Sequence, residues 1–169
     1  FRNQATVGGS IYGRFGFSDV LTAFLALDTF VELYNGGTIR LSEFVNRKPD
    51  KDILLSVIVR KSKRKFRYES IRQTKTDFPV IACSVVTGMV HGKETWYFSV
   101  GARPMKAALL EKQWKIPDHA SEEMIAEYAR QAASEFTYGT NMRGSAEYRR
   151  HLAEVLIRRE MSSILAEGR

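Results

Sequence analysis

Cysteine is nearly absent from this chain of 169 residues: Cys83 stands alone. A single thiol excludes an internal disulfide framework and a cysteine-rich metal site. Its setting, Val80-Ile81-Ala82-Cys83-Ser84-Val85-Val86, reads as a buried strand, so a packed and inert thiol is expected. A reducing, cytoplasmic compartment fits that usage. Histidine is almost as scarce, and His91, His119 and His151 lie far apart without metal-ligand spacing. There is no G-x-S-x-G nucleophile motif, and nothing supports a self-contained hydrolase. No apolar run approaches the ~20 residues needed to span a bilayer. No charged-then-apolar leader opens the sequence, and no internal repeat or low-complexity segment interrupts it.

What is present describes a soluble globular protein, with 44% hydrophobic and 27% charged residues. The length suits one ordinary domain or two small ones. A net charge of +7 favours anionic partners, whether nucleotides, nucleic acid, acidic proteins or a membrane surface, without choosing among them. The first residue is Phe1, which suggests a processed product or the later part of a longer polypeptide.

Along the chain, Val20 to Leu27 reads as a helix capped by Ser18 or Asp19, with Val20, Leu21, Phe24, Leu25 and Leu27 on its buried face. Thr29 to Leu33 and Thr38 to Leu41 read as strands around an Asn35-Gly36-Gly37 hairpin turn. Ser42 to Val45 suggests one short helical turn, and Ile53 to Val59 a buried strand. The basic run Arg60 to Lys65 then marks a boundary, which divides the chain into residues 1–62 and 63–169. Beyond it, Phe66 to Ile71, Val80 to Val90 and Thr95 to Val100 make a small antiparallel sheet, with a turn at His91 to Glu94. A short helix is predicted from Met105 to Glu111, after Arg103-Pro104. Ser121 caps a helix carrying Ile125, Tyr128, Ala129, Ala132 and Phe136 at helical spacing. Ser145 caps another, with Tyr148, Leu152 and Ile164 on its apolar stripe and Arg149, Arg150, Arg158 and Arg159 off it. The fold class is α+β, with the two C-terminal helices covering one face of the sheet.

The densest candidate site lies near the start. In Thr6-Val7-Gly8-Gly9-Ser10, two glycines without Cβ atoms read as a turn whose backbone reaches positive φ and lies against a ligand. Bare amides there form a nest for anions, and Thr6 and Ser10 flank it with hydroxyls. A carboxylate at the following helix start, Asp19, can accept hydrogen bonds from ribose hydroxyls. Ala5-Thr6-Val7-Gly8-Gly9-Ser10-Ile11, then Ser18-Asp19-Val20-Leu21 and Ala23-Phe24-Leu25-Ala26-Leu27, resembles the FAD-binding subunit or domain of the molybdenum hydroxylases. That is the family of xanthine dehydrogenase and carbon monoxide dehydrogenase. Gly144-Ser145-Ala146-Glu147-Tyr148-Arg149-Arg150-His151-Leu152-Ala153 is similar to the start of its last helix.

The resemblance implies the second half of a flavin-binding domain, a helix plus antiparallel strands, followed by a small antiparallel sheet under C-terminal helices. It implies FAD as cofactor here, with molybdopterin and iron–sulfur clusters on partner subunits. In a xanthine dehydrogenase type of assembly, electrons pass from those clusters through FAD to NAD+ or another acceptor. The family's other glycine loop, for the pyrophosphate, precedes this stretch, so the N-terminal half of the FAD domain is an expected partner. The iron–sulfur subunit and the molybdopterin subunit are the others, with no nucleic acid and no membrane. Residue by residue, the Gly8-Gly9 backbone approaches the dinucleotide and Asp19 holds a hydroxyl. Tyr12 lies beside the isoalloxazine ring, where an aromatic side chain stacks. Leu54 stands at a flavin-contacting position, Ser10 where many members have asparagine, and Arg72 where several have a lysine close to the flavin. An arginine there keeps the charge and would stabilise negative charge on the reduced ring. Two other classes stay open on the residues alone: a basic nucleic-acid-binding module, resting on Arg60 to Lys65, and a non-catalytic interaction domain.

Overall fold

The computed structural model describes residues 4–167; the expectation attached to Phe1 lies outside them. The chain opens with a six-residue helix, α1 (Val7–Tyr12), where a turn was expected. Thr6 decides this. Its Oγ1 accepts from the Gly9 amide at 3.0 Å, and the Ser10 hydroxyl donates to the Thr6 carbonyl at 2.8 Å. Neither Gly8 nor Gly9 has a positive φ; among the described glycines, Gly37 and Gly92 do. Two glycines in so short a helix each cost about 1 kcal/mol against alanine. Ile11, fully buried on the inner side, anchors the element.

Ser18, not Asp19, caps α2 (Asp19–Ala26): its Oγ accepts from the Leu21 amide at 3.1 Å and donates to the Ser10 carbonyl at 3.1 Å. One hydroxyl thus ties two helices and leaves the Asp19 carboxylate outside the cap. Leu21 and Leu25 are buried as the periodicity predicts, while Val20 and Phe24 pack at the core's edge.

Strands β1 (Thr29–Leu33) and β2 (Gly37–Arg40) form the expected hairpin, with Gly37 at φ +63°. The Asp52 carboxylate accepts from the Asn35 and Gly36 amides at 2.9 and 2.8 Å and closes the turn. Helix α3 (Leu41–Asn46) follows, and β3 (Leu54–Val59) completes a sheet in the order β2-β1-β3, all antiparallel. β3 is not the buried strand that its apolar run suggests. It is an edge strand whose register slips opposite Glu32 and Leu33, and Ile53 and Leu55 stand 60% and 54% exposed. The helices cover one face of this sheet, so continuous apolarity along its edge exceeds what the fold buries.

The second sheet runs β4 (Lys65–Ile71), β5 (Ile81–Val90), β6 (Lys93–Gly101), β7 (Ala108–Lys112) in that order. His91 and Gly92, both at positive φ (49° and 76°), make the two-residue β5–β6 turn, whose twist matches that of the strands. β7 replaces the helix predicted from Met105 to Glu111. Its short apolar run suits either state, and pairing of Phe98 with Leu110 and Val100 with Ala108 settles it. Helices α4 (Glu122–Ser134) and α5 (Ala146–Ala166) cover one face of this sheet. Cys83, Trp96 and Phe98 there meet Ala129, Leu156, Ile157 and Met161 in one core. Residues 81–87 of β5 are buried on both faces because α2 covers the other side. There a Cβ on Gly101 would overlap Thr22 Oγ1, and the Ala102 amide donates to the Gly16 carbonyl at 2.6 Å.

Arg149 corrects the expected stripe of α5. It is 1% exposed, and its guanidinium donates to the carbonyls of Val80, Gly139 and Gly144 at 2.9, 2.7 and 2.5 Å and to Asn141 Oδ1. Burial lowers its pKa. Arg150, Arg158 and Arg159 are exposed, as predicted.

Candidate functional site

Asp19, the first residue of α2, lines a cleft of ≈ 450 Å³. Thr6, Gly9 and Ser10 of the α1 region line one side, and Arg72, just past the end of β4, lines another. Tyr68 Oη donates to Asp19 Oδ1 at 2.5 Å, and Arg72 Nη2 donates to Oδ2 at 2.5 Å. Arg72 Nη1 is held by the Asp77 carbonyl at 2.8 Å. The phenol of Tyr68 is pushed well up in pKa, first by burial and then by the Asp19 carboxylate beside it, so it stays a donor. Asp77 is held below the usual carboxylate range by the Phe78 amide and by Arg143. Those contacts, at 2.7 and 3.2 Å, fix the loop that carries Phe78.

Phe15, Phe17 and Phe78 form the cleft's apolar rim. Phe15 and Phe17 stack with centroids 5.3 Å apart, and Phe17 meets Phe78 at 4.2 Å. Sequence reasoning missed these three rings and Tyr68. The signal for the rim was Phe15-Gly16-Phe17, aromatics spaced around a glycine just before a capped helix.

On the far side of α1 lies a second hollow of ≈ 400 Å³, lined by Gly8, Gly9, Tyr12, Leu54 and their neighbours. The eight predicted site residues therefore divide. Thr6, Ser10, Asp19 and Arg72 line the first cleft, Gly8, Tyr12 and Leu54 the second, and Gly9 borders both. Tyr12 and Arg72 do not converge on one hollow. The Tyr12 hydroxyl donates to the Asp52 carbonyl at 2.8 Å, and its ring lies against Phe44. A Cβ on Gly8 would enter open space, whereas one on Gly9 would come within 2.9 Å of Thr6 Oγ1. The ridge between the hollows is bare backbone.

The arrangement offers a carboxylate acceptor, a cation, hydroxyls and aromatic faces. It pairs no nucleophile with a base, and among the described residues no group of His, Cys, Asp and Glu could hold a metal ion. It suits a flat, apolar ring system that carries hydroxyls and anionic groups. The basic connector is occupied differently: Arg60 stacks on Phe30 at 4.2 Å and Arg64 on Tyr97 at 5.0 Å. Among the described residues no helix is long and apolar enough to cross a membrane.

Residues 66–164 match the family described as the CO dehydrogenase flavoprotein C-terminal domain, and residues 1–61 match the FAD binding domain in molybdopterin dehydrogenase. Among curated proteins, the chain is 25% identical over 156 residues to the uncharacterised protein YgfM of Escherichia coli (strain K12). That match covers 92% of this chain and 57% of the relative. Quinoline 2-oxidoreductase from Pseudomonas putida 86 has a similar fold, with a TM-score of 0.80 at 16% identity. Carbon monoxide dehydrogenase from Hydrogenophaga pseudoflava gives 0.78 at 17%, and CO dehydrogenase from Oligotropha carboxidovorans 0.76 at 18%. Each structural match covers 98% of this chain and 62% of the other, so the chain spans under two thirds of the proteins it resembles.

Proposed function

The chain belongs to the FAD-binding flavoprotein family of the molybdenum hydroxylases, and on that premise we propose that it supplies one wall of an FAD site in an oxidoreductase assembly. The observation that carries this reading is the Asp19 carboxylate, held by two donors in a cleft that Phe15, Phe17 and Phe78 also line. The residues fit the cofactor. Asp19 would accept from its sugar or ribityl hydroxyls, and the rings at Phe15, Phe17 and Phe78 offer apolar faces to a flat heterocycle. The bare Gly8-Gly9 backbone, Thr6 and Ser10 are the groups that would lie against the cofactor's dinucleotide portion. When bound, FAD supplies one- and two-electron redox chemistry. Arg72 stands beside the site as the partner of Asp19, so the positive charge it would offer the reduced ring is largely balanced by that carboxylate.

The opposite wall would come from the preceding half of the FAD domain. The exposed Ile53, at the second hollow, and the exposed Leu55 on the edge strand β3 suit a protein cover. The further partners are an iron–sulfur subunit and a molybdopterin subunit. The narrower assignment is a xanthine dehydrogenase type with NAD+ as acceptor; the motifs around Gly8-Gly9 and Asp19 are shared by the whole family and do not choose the acceptor. Anaerobic NADH that bleaches the flavin band would support NAD+, and no bleaching would exclude it.

A visible spectrum of the assembled protein tests the cofactor, and Asp19→Ala tests the site. The variant should retain at least about tenfold less FAD, which corresponds to about 1.4 kcal/mol. Equal retention without the carboxylate would remove Asp19 from the site.

A further inference from the structure

Asp19 and the groups that hold it come from different parts of the chain. The carboxylate belongs to the segment matched as an FAD binding domain, residues 1–61. Tyr68 and Arg72 belong to the segment matched as the flavoprotein C-terminal domain, residues 66–164. A carboxylate has about four lone-pair sites. Tyr68 takes one on Oδ1 and Arg72 takes one on Oδ2, which fixes the plane of the group and leaves acceptor capacity on both oxygens. The Asp19 side chain is still 26% exposed, at the cleft it lines.

The two donors differ. Arg72 borders the cleft, and its second nitrogen is engaged by the Asp77 carbonyl. Tyr68 is not among the residues that line the cleft. Its ring is largely covered; burial first, and then the neighbouring carboxylate, keep its hydroxyl protonated, and that hydroxyl donates to Asp19. A group so placed acts on a ligand through Asp19.

We propose that Tyr68 is a positioning residue, which orients the Asp19 carboxylate from β4 so that its free lone pairs meet the hydroxyls of a bound polyol or sugar. This rests on the reading of the cleft as an FAD site, since FAD carries such hydroxyls on its ribityl chain and ribose. The benefit is preorganisation: an acceptor already fixed in its rotamer loses little freedom when the ligand arrives.

The test is a double-mutant cycle in the assembled protein, depleted of flavin and retitrated with FAD by fluorescence quenching. Tyr68→Phe, Asp19→Asn and the double variant are compared well below their Tm, with near-UV circular dichroism confirming the fold. Tyr68→Phe should weaken FAD binding about tenfold (about 1.4 kcal/mol). In the Asp19→Asn background the same change should cost less than about twofold. A merely structural tyrosine would lower Tm and leave the Kd for FAD unchanged, or weaken binding equally in both backgrounds. Either result overturns the proposal while the FAD site stands. An assembled protein that takes up no FAD before any substitution overturns the reading of the cleft, and the positioning role with it.

Discussion

Glu160 sits in an environment at odds with its charge. It lies on α5 at 3% exposure, and among the described residues neither carboxyl oxygen makes a hydrogen bond of good geometry. Burial first, and then the Glu69 carboxylate, raise its pKa well above the ordinary value, while the Glu69 backbone amide and then Arg67 pull the other way. Cys83, buried beside it, is likewise pushed up by burial and by the two glutamates. The folded protein therefore holds the Glu160 proton more tightly than the unfolded chain does. The Glu160 contribution to stability is full below the unfolded carboxylate value, about 4.3, and is lost as pH rises through the folded pKa. The slope is at most about 1.4 kcal/mol per pH unit. Glu160→Gln keeps the shape and removes the titration. Thermal unfolding at pH 5, 6, 7 and 8 should show the Tm of the variant pulling ahead of the parent as pH rises. Curves that stay parallel would mean that Glu160 is ionised and solvated. Neither Glu160 nor Arg149 was legible in the sequence, because a charged residue on a helix is solvated by default. The carbonyls that gather around Arg149 come from loops near Val80 and Gly139 to Gly144, which its own helical periodicity does not locate.

At the scale of elements, legibility followed the range of the deciding interaction. The caps at Ser18, Ser121 and Ser145 and the hairpin at Asn35 to Gly37 are local devices, and each lies where the sequence places it. β7 and β3 were misread because their state depends on partners distant in the chain. The candidate site shows the same division. Asp19 and the glycines stood out within one short stretch, but the Tyr68 that holds Asp19 is 49 residues away. The α1–α2 corner carries the clearest prediction at this scale. The Ser18 hydroxyl both caps α2 and donates to the Ser10 carbonyl. Ser18→Ala should therefore cost about 1–2 kcal/mol, the upper part of the range for a lost cap. Ser18→Gly removes both side-chain bonds as well, yet glycine at an N-cap costs only a few tenths relative to serine in simple helices. If the link to Ser10 matters here, Ser18→Gly should lose clearly more than that in urea titration. A loss of only a few tenths would reduce the corner to an ordinary cap.

Across the whole molecule, α2 is the shared element. Leu21 and Leu25 belong to the core with β1 and α1, while Thr22 lies against Gly101 of β6 on the second sheet. Asp19 at its start is bonded to Tyr68 and Arg72, on and just past β4. Neither sheet can shed α2 without exposing its own apolar face, so the two halves should unfold together even though their hydrogen-bonded sheets are separate. The tryptophans make this measurable. Trp96 and Trp114 both belong to the second core, so their fluorescence reports that half alone, whereas far-UV circular dichroism reports helices and strands of both. Thermal unfolding followed by the two signals should give coincident midpoints. Gly101→Val supplies the contrast, because any Cβ there overlaps Thr22 Oγ1, and the added side chain forces Thr22, and α2 with it, away from β6. In that variant the dichroism should begin to change several degrees before the fluorescence, as the first half loosens from an intact second sheet. Coincident midpoints in both proteins would mean that contacts other than this one hold the halves together. Separated midpoints already in the parent would mean that α2 belongs energetically to one half, and that Asp19 meets Tyr68 and Arg72 across a joint free to open.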